Sequence, residues 1–373
     1  MRILQSSFLV LLALFASSRP VAETENKDIA KFNKDYAEIQ ELISTGQFRK
    51  AGESALAATP LAEIVFNSDL ENLANYYYLV AQLQATQPWS GMVGETVPIA
   101  ERAVEMMSSL HGDASEEALR AHGYMLRILT FAMRGAGNRE RIASILGVQT
   151  TKALKLVKDV ETAAAADLYL ALSGSAQTLS KAKKYSDAAS QIFASVYGAK
   201  SKEALQTRVS SARFLGRKRQ ILELTSILNS IGQEENVLLL RASIHQQLAV
   251  LHLKSGEEEA AMQQNIAASE AFELLGQEKT IGAMEMLPIL KAGAKYPREA
   301  FTRGIEGYVI LEYQVDESGR AVEPRVIEAV PRGTFDKAAI EAAKLDRYLP
   351  RIKDGLPVAV SRVRQRINFE LAD

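Results

Sequence analysis

The sequence contains no cysteine, few histidines and no surplus of charge, and each shortage argues against a class of function. Without cysteine the chain forms no disulfide, zinc–thiolate cluster or thiol nucleophile, so its folded state depends on packing. The formal net charge of −1 argues against nucleic acid as a partner, because binding phosphates requires clustered lysine and arginine. With 373 residues, 47% of them hydrophobic and 24% charged, the composition is that of a soluble globular protein long enough for several domains.

The few histidines argue against a metal site. They are His111, His122, His245 and His252, and none belongs to a His-x-x-x-His or Glu-x-x-His pair. His245 and His252 can share a helix face, but two ligands do not make a metal site without a third. The sequence also lacks a Gly-x-Ser-x-Gly elbow, a phosphate loop and a dinucleotide fingerprint. We therefore predict no enzymatic activity, no metal and no cofactor.

The first 22 residues have the pattern of a secretory signal peptide. Arg2 precedes the apolar run Phe8–Ala16, and small residues follow it. As a helix this run would measure about 13 Å, against a hydrocarbon core of roughly 30 Å. We predict that residues 1–22 are removed on export. An uncleaved membrane anchor is the alternative, because Ile3 and Leu4 extend the apolar stretch.

Residues 26–287 have a helical pattern. No proline occurs from Ile99 to Leu287, as expected where helix interiors fill the chain. The segment also repeats itself: Gly112–Leu119 (GDASEEAL) matches Gly198–Leu205 (GAKSKEAL) at a separation of 86 residues, which is two periods of 43. Internal repetition of this kind predicts a helical array.

A second signature is predicted at turns between paired helices, where a small residue follows five positions after the turn begins. It occurs in 46–51, 183–188 and 256–261. These segments resemble tetratricopeptide (TPR) repeats, although the period of 43 exceeds their roughly 34 residues and 137–165 carries no copy. We predict a TPR-like all-α array with an unrelated helical bundle as the alternative. Such arrays bind a peptide or protein ligand, but no residue here identifies one.

The pattern changes at Pro288: six of the ten prolines lie in 288–373, and the hydrophobic period switches to two. The first predicted strand places Val309, Leu311, Tyr313 and Val315 on one face. Asp316–Gly319 reads as a hairpin turn, and 322–330 reads as a second strand that Pro324 restricts to an edge or an irregular pairing.

A helix and a last strand complete the predicted β-β-α-β order. Thr334 is the expected N-cap, and the expected inward stripe is Phe335, Ala338, Ala339, Ala342 and Leu345. The final strand, 358–371, alternates between two faces. One face carries Val363, Gln365, Ile367, Phe369 and Leu371, and the other carries Arg362, Arg364, Arg366, Asn368 and Glu370.

Separated motifs in this segment occur together in a known family. They are Tyr296-Pro297, Gly304–Gly307 before the first strand, Asp316–Gly319, Phe335-Asp336 with Ala338-Ala339, Tyr348-x-Pro350, Asp354-Gly355-x-Pro357, and Ile367-Asn368-Phe369. In this order they resemble the C-terminal domain of TonB over 288–373. The predicted organisation is thus a signal peptide (1–22), a TPR-like array (26–287) and a TonB-like β-β-α-β domain (288–373).

The resemblance implies a periplasmic protein that grips an extended segment of an outer-membrane transporter, pairs it beside its last strand, and transmits work from an inner-membrane motor. A three-stranded sheet also leaves edges whose free N–H and C=O groups can receive a partner strand, so another periplasmic protein is a further candidate partner. The residues that the resemblance and the strand pattern assign to partner binding are Tyr296, Pro297, Arg362, Val363, Arg364, Arg366, Ile367 and Phe369.

Two questions stay open in the sequence. The arginine row can attract an acidic partner, or it can serve only to discourage edge-to-edge aggregation. The chain also has no histidine before His111 and no long proline-rich segment. Energy-transducing members of the family have both features. Coupling to a proton-driven motor is therefore one hypothesis, and a non-energised periplasmic scaffold that binds mainly through its helical array is the other.

Overall fold

A computed structural model describes residues 23–86, 93–133, 139–232, 235–275, 288–348, 351–353 and 356–371. The chain divides into two compact units, 1–214 and 215–373. The signal peptide predicted for 1–22 lies outside the described residues. Residues 276–287, the end of the predicted helical array, also lie outside them. No helix in the described ranges has both the length and the apolar character needed to cross a membrane.

The described part of the first unit is helical. Its helices are α1 (Glu23–Ser44), α2 (Phe48–Ala57), α3 (Thr59–Val65), α4 (Leu70–Thr86), α5 (Val93–His111), α6 (Glu116–Ala132), α7 (Arg139–Leu156), α8 (Ala163–Ser175), α9 (Leu179–Tyr197) and α10 (Lys202–Ala212). Each helix packs on its neighbour in the chain, and α6 also packs on both α4 and α8. Contacts between alternate helices are typical of stacked helical pairs, so a TPR-like repeat remains the prediction for this region.

The repeated octapeptide forms the same helix boundary twice. Gly112 and Gly198 end α5 and α9 with φ of +92° and +94°, a left-handed conformation that glycine adopts without steric cost. Ser115 then caps α6 by accepting a hydrogen bond from the backbone N–H of Ala118 at 3.1 Å. Ser201 caps α10 in the same way.

The turn signature is right at two of its three positions. Gly46 (φ +74°) lies between α1 and α2, and Gly256 (φ +79°) lies between the two longer helices of the second unit. The prediction for 183–188 is wrong, because this segment lies inside α9. Thr178 caps α9 and thereby starts the helix several residues before the expected turn.

The described part of the second unit begins with three long helices, which the small β-rich domain follows. The helices are α11 (Arg217–Ser230), α12 (Glu235–Ser255) and α13 (Glu258–Leu274). The remaining elements are β1 (Pro288–Leu290), α14 (Arg298–Thr302), β2 (Gly307–Val315), β3 (Ala321–Val330), α15 (Asp336–Leu345), β4 (Arg347–Tyr348), β5 (Arg351–Lys353), β6 (Leu356–Val358) and β7 (Val360–Phe369). The predicted fold class, a helical region followed by a small β-β-α-β domain, is confirmed.

The main sheet has the strand order β3-β2-β7 and is antiparallel throughout. The four residues predicted to share one face of β2 are buried, namely Val309, Leu311, Tyr313 and Val315. The β2–β3 turn is the predicted hairpin: Gly319 has φ +78°, and Asp316 Oδ1 accepts hydrogen bonds from the backbone N–H groups of Ser318 and Arg320. The β2–β3 register shifts twice, and Glu323, beside Pro324, has φ +52°, so β3 is the irregular edge strand that proline predicts.

Helix α15 differs from its prediction at both ends. Its N-cap is Phe335 rather than Thr334, and the carboxylate of Asp336 accepts the backbone N–H of Gly333 at 3.1 Å. The stripe prediction is right for Phe335, Ala339 and Ala342 but wrong for Leu345, which is 60% exposed. The helix ends there, and the next residue, Asp346, is buried although the predicted stripe ends at Leu345.

Candidate partner-binding strand

Strand β7 lies at one edge of the main sheet and pairs with β2 alone within the described part of the chain. Its antiparallel register is unbroken from the Tyr313–Val363 pair to the Gly307–Phe369 pair. The other side of an edge strand keeps backbone N–H and C=O groups directed away from the sheet, and these groups can pair with a further strand. The expectation that the carboxy-terminal strand is a sheet edge is therefore met.

An irregularity divides β7 from the residues before it. Two residues, Ser361 and Arg362, separate Val360 from Val363, where the facing part of β2 has only Gln314, and Arg362 has φ +61°. An extra residue of this kind is a β-bulge, which bends a strand and interrupts its pairing. The prediction of one regular strand over 358–371 is therefore wrong, and regular alternation begins at Val363.

The inward face of β7 is fixed by an aromatic cluster. The ring of Phe369 stacks on that of Phe335 with centroids 4.3 Å apart, and Tyr296 meets both rings edge-on at 5.7 and 5.5 Å. The hydroxyl of Tyr296 donates to the backbone carbonyl of Ile305 at 2.6 Å. Pro297 follows as the N-cap residue of α14. These contacts bring Tyr296 and Pro297 to the same domain face as the end of β7.

The outward face of β7 carries arginines that bind acidic and aromatic side chains of β2. Arg364 Nε donates to Glu312 Oε2 at 3.1 Å, and Arg325 of β3 contacts the other oxygen of the same carboxylate. The hydrogen bonds from Arg325 and Arg364 lower the pKa of Glu312, which is only 5% exposed. Arg366 lies over the ring of Tyr308, with its guanidinium carbon 3.8 Å from the centroid.

The sequence did not point to Glu312 or Tyr308 as members of this surface. The period-two pattern assigns both to the outward face of β2, but only the register pairs Glu312 with Arg364. One carboxylate faces two guanidiniums, so this part of the face keeps a positive excess. That excess is compatible with both predicted roles of the arginine row.

The eight predicted binding residues differ from one another in how exposed their side chains are. Val363 and Phe369 are buried in the domain core, Tyr296, Pro297 and Ile367 are partly buried, and Arg362, Arg364 and Arg366 are exposed. The arginines have side chains open to solvent along the free edge. The buried residues can contribute to partner binding only by holding β7 in place or through its backbone.

Comparisons with known proteins concern the segment that contains this sheet. The family described as the C-terminal domain of the Gram-negative bacterial TonB protein matches residues 292–371. The chain carries a TonB C-terminal domain. Protein TonB of Vibrio cholerae serotype O1 is 38% identical over 77 residues, which are 21% of this chain and 31% of that protein. Protein TonB of Yersinia enterocolitica is 38% identical over 58 residues, 16% of this chain and 23% of the relative.

A third relative, protein TonB of Pseudomonas aeruginosa, is 39% identical over 64 residues, 17% of this chain and 19% of its own. The matched stretch is less than a third of each of these relatives. These comparisons therefore concern the TonB domain and give no information about the helical region. In the described residues no group of three or more His, Cys, Asp or Glu side chains is arranged to hold a metal ion.

Proposed function

We propose that the TonB domain captures an extended segment of an outer-membrane transporter by strand addition along β7, and that the protein contributes in this way to energy-coupled transport across the outer membrane. The proposal depends on one observation, the position of β7 at the edge of the sheet. The family match supports it, because the edge strand belongs to the matched segment. Residues 363–369 then offer a regular edge that ends at the bulge.

The captured segment gains little from each hydrogen bond. At a net 0.5 to 1.5 kcal/mol for each bond, about five bonds contribute only a few kcal/mol, so the complex is expected to be transient. Attraction to the arginine row would add affinity for an acidic segment and would weaken as salt increases. The proposed site of action is the periplasm, after export directed by residues 1–22, and an inner-membrane motor is a proposed second partner.

Single-cysteine cross-linking tests the proposal cleanly because the natural chain has no cysteine. We expect Arg364→Cys and Arg366→Cys to form disulfides with cysteines placed stepwise through the periplasmic segment of a transporter from the same bacterium. Strand pairing predicts that the cross-linking yield alternates with a period of two residues along that segment. Arg325→Cys, on the opposite edge strand, is the matched control and should give little product.

Equal yields from β3 and β7, or none from β7, would count against strand addition there. A chain that lacks residues 288–373 separates the two hypotheses. The scaffold hypothesis predicts that this shortened chain still binds its main partner. The transport proposal predicts that it no longer contacts the transporter. Sequencing the amino terminus of the exported protein separates a cleaved periplasmic adaptor from an anchored transducer.

A further inference from the structure

The chain reaches the TonB domain through a lead-in segment, residues 288–297, that is fastened to the domain at three points. Its first residues form β1, which pairs with β4. Further along, the backbone N–H of Ala292 donates to Asp346 Oδ1 at 2.7 Å. Tyr296 supplies the third attachment through its ring and its hydroxyl. The segment is therefore held along its length.

The attachment at Asp346 continues as a buried chain of polar groups. Asp346 is 1% exposed, and the hydroxyl of Tyr348 lies 3.4 Å from its Oδ2. The hydroxyl groups of Tyr348 and Tyr313 are hydrogen-bonded to each other. Tyr313 donates in turn to Oε1 of Gln365 on β7 at 2.9 Å. Asp346 also hydrogen-bonds the side chain of Gln365 directly, so polar contacts join the lead-in backbone to the middle of the edge strand by two routes.

The second path reaches the end of the same strand. Tyr296 packs on Phe369, the last residue of β7, and Phe369 packs on Phe335 at the start of α15. The lead-in segment is thus linked to β7 at Gln365 through Asp346 and at Phe369 through Tyr296. Both links lie on the inward side of the strand, away from the arginine row.

These two links have a physical consequence for an edge strand. Among the described strands β7 is paired on one side only, so it has fewer backbone hydrogen bonds to hold its position than β2, which is paired on both sides. Side-chain links to a third element compensate for that deficit. Satisfied buried polar networks also favour one arrangement, because each lost bond leaves a buried group without a partner.

We propose that Asp346 and Tyr296 are positioning residues, which couple the lead-in segment to β7 and hold its free edge in register for a partner strand. The inference rests on the proposed function, in that β7 is taken as the strand that receives the partner. It goes further because it makes the position of β7 depend on the contacts that the lead-in segment forms with the domain.

Hydrogen exchange on the full chain, without any partner, tests this coupling. Asp346→Leu removes the acceptor of the Ala292 N–H, and we expect exchange of the β7 amides to rise on the order of tenfold, with a smaller change in β3. Asp346→Asn keeps an acceptor oxygen and should restore slow exchange. Tyr348→Phe removes one of the two routes from Asp346 to Gln365 with minimal change of shape, so it serves if Asp346→Leu does not fold, with a smaller rise of exchange in β7 expected.

Asp316→Leu is the matched control, because this carboxylate accepts hydrogen bonds from Ser318 and Arg320 within the β2–β3 turn. It should raise exchange around that turn and leave β7 unchanged. The proposal is overturned if exchange in β7 stays as in the natural chain, if it rises equally in β2, β3 and α15, or if Asp346→Asn behaves like Asp346→Leu. A lack of transporter cross-linking by Arg364→Cys and Arg366→Cys would instead count against the proposed function and leave the exchange result standing.

Discussion

The substitution Phe335→Ala is expected to destabilise the TonB domain by about 3–5 kcal/mol. Phe335 is 0% exposed, and its ring contacts both Phe369 of β7 and Tyr296 of the lead-in segment. Replacing a buried phenylalanine by alanine costs about 3–5 kcal/mol, because transfer free energy is lost and a cavity remains. Small domains are stable by only about 5–15 kcal/mol, so this loss removes a large share of the total.

The matched control is Phe301→Ala, which removes the same side chain from an exposed position in the same domain. Phe301 is 63% exposed and touches Tyr296 from the outside, with ring centroids 6.0 Å apart. Its loss is expected to cost under about 1 kcal/mol. Hydrogen exchange of peptides from 292–371 in the full chain measures both effects locally. Equal losses in the two variants would show that the aromatic cluster is not the centre of this core.

Local patterns predicted the strands and the hairpin of the TonB domain because these features depend on neighbouring residues. The period-two pattern identified the buried face of β2, and Asp316–Gly319 has the composition that its turn requires. The same reasoning failed for Thr334 and Leu345 at the ends of α15. The burial of Phe335 in the aromatic cluster coincides with the helix start, and the hydrogen bond of Asp346 with Ala292 coincides with its end.

The polar partners in the candidate site were beyond sequence reasoning for the same reason. Glu312 and Arg364 are 52 residues apart in the chain, and Asp346 and Ala292 are 54 apart. Such pairs are defined by strand register and by the path of the lead-in segment, neither of which is a local property. Sequence patterns could assign these residues to a face of an element but could not say what each of them contacts.

His122 is expected to make the first unit sensitive to acid. The side chain lies in α6 with 0% exposure, and neither ring nitrogen has a hydrogen-bond partner within the described residues. Burial, and to a lesser extent the positive charge of Lys152, lowers the pKa of His122 from 6.5 to about 4. The folded chain therefore binds this proton less readily than the unfolded chain does.

The lowered pKa of His122 makes the folded state less stable as the pH falls. Above pH 6.5 the ring is neutral in both states, and its full contribution to stability is present. As the pH falls from 6.5 towards 4 the unfolded state takes up a proton that the folded state resists, so the free energy of unfolding decreases. With 1.36 kcal/mol for each pH unit between the two pKa values, the loss at pH 4 is about 3 kcal/mol.

The substitution His122→Leu should remove this component of the pH dependence. Urea titrations of the full chain, followed by circular dichroism, would then show that the natural chain loses about 3 kcal/mol more than His122→Leu between pH 7 and pH 4. The comparison cancels the carboxyl groups that both chains share. His111→Leu is the control, since His111 is exposed in the last turn of α5. If the difference between the natural chain and His122→Leu is the same at both pH values, the buried ring is not the source of acid sensitivity.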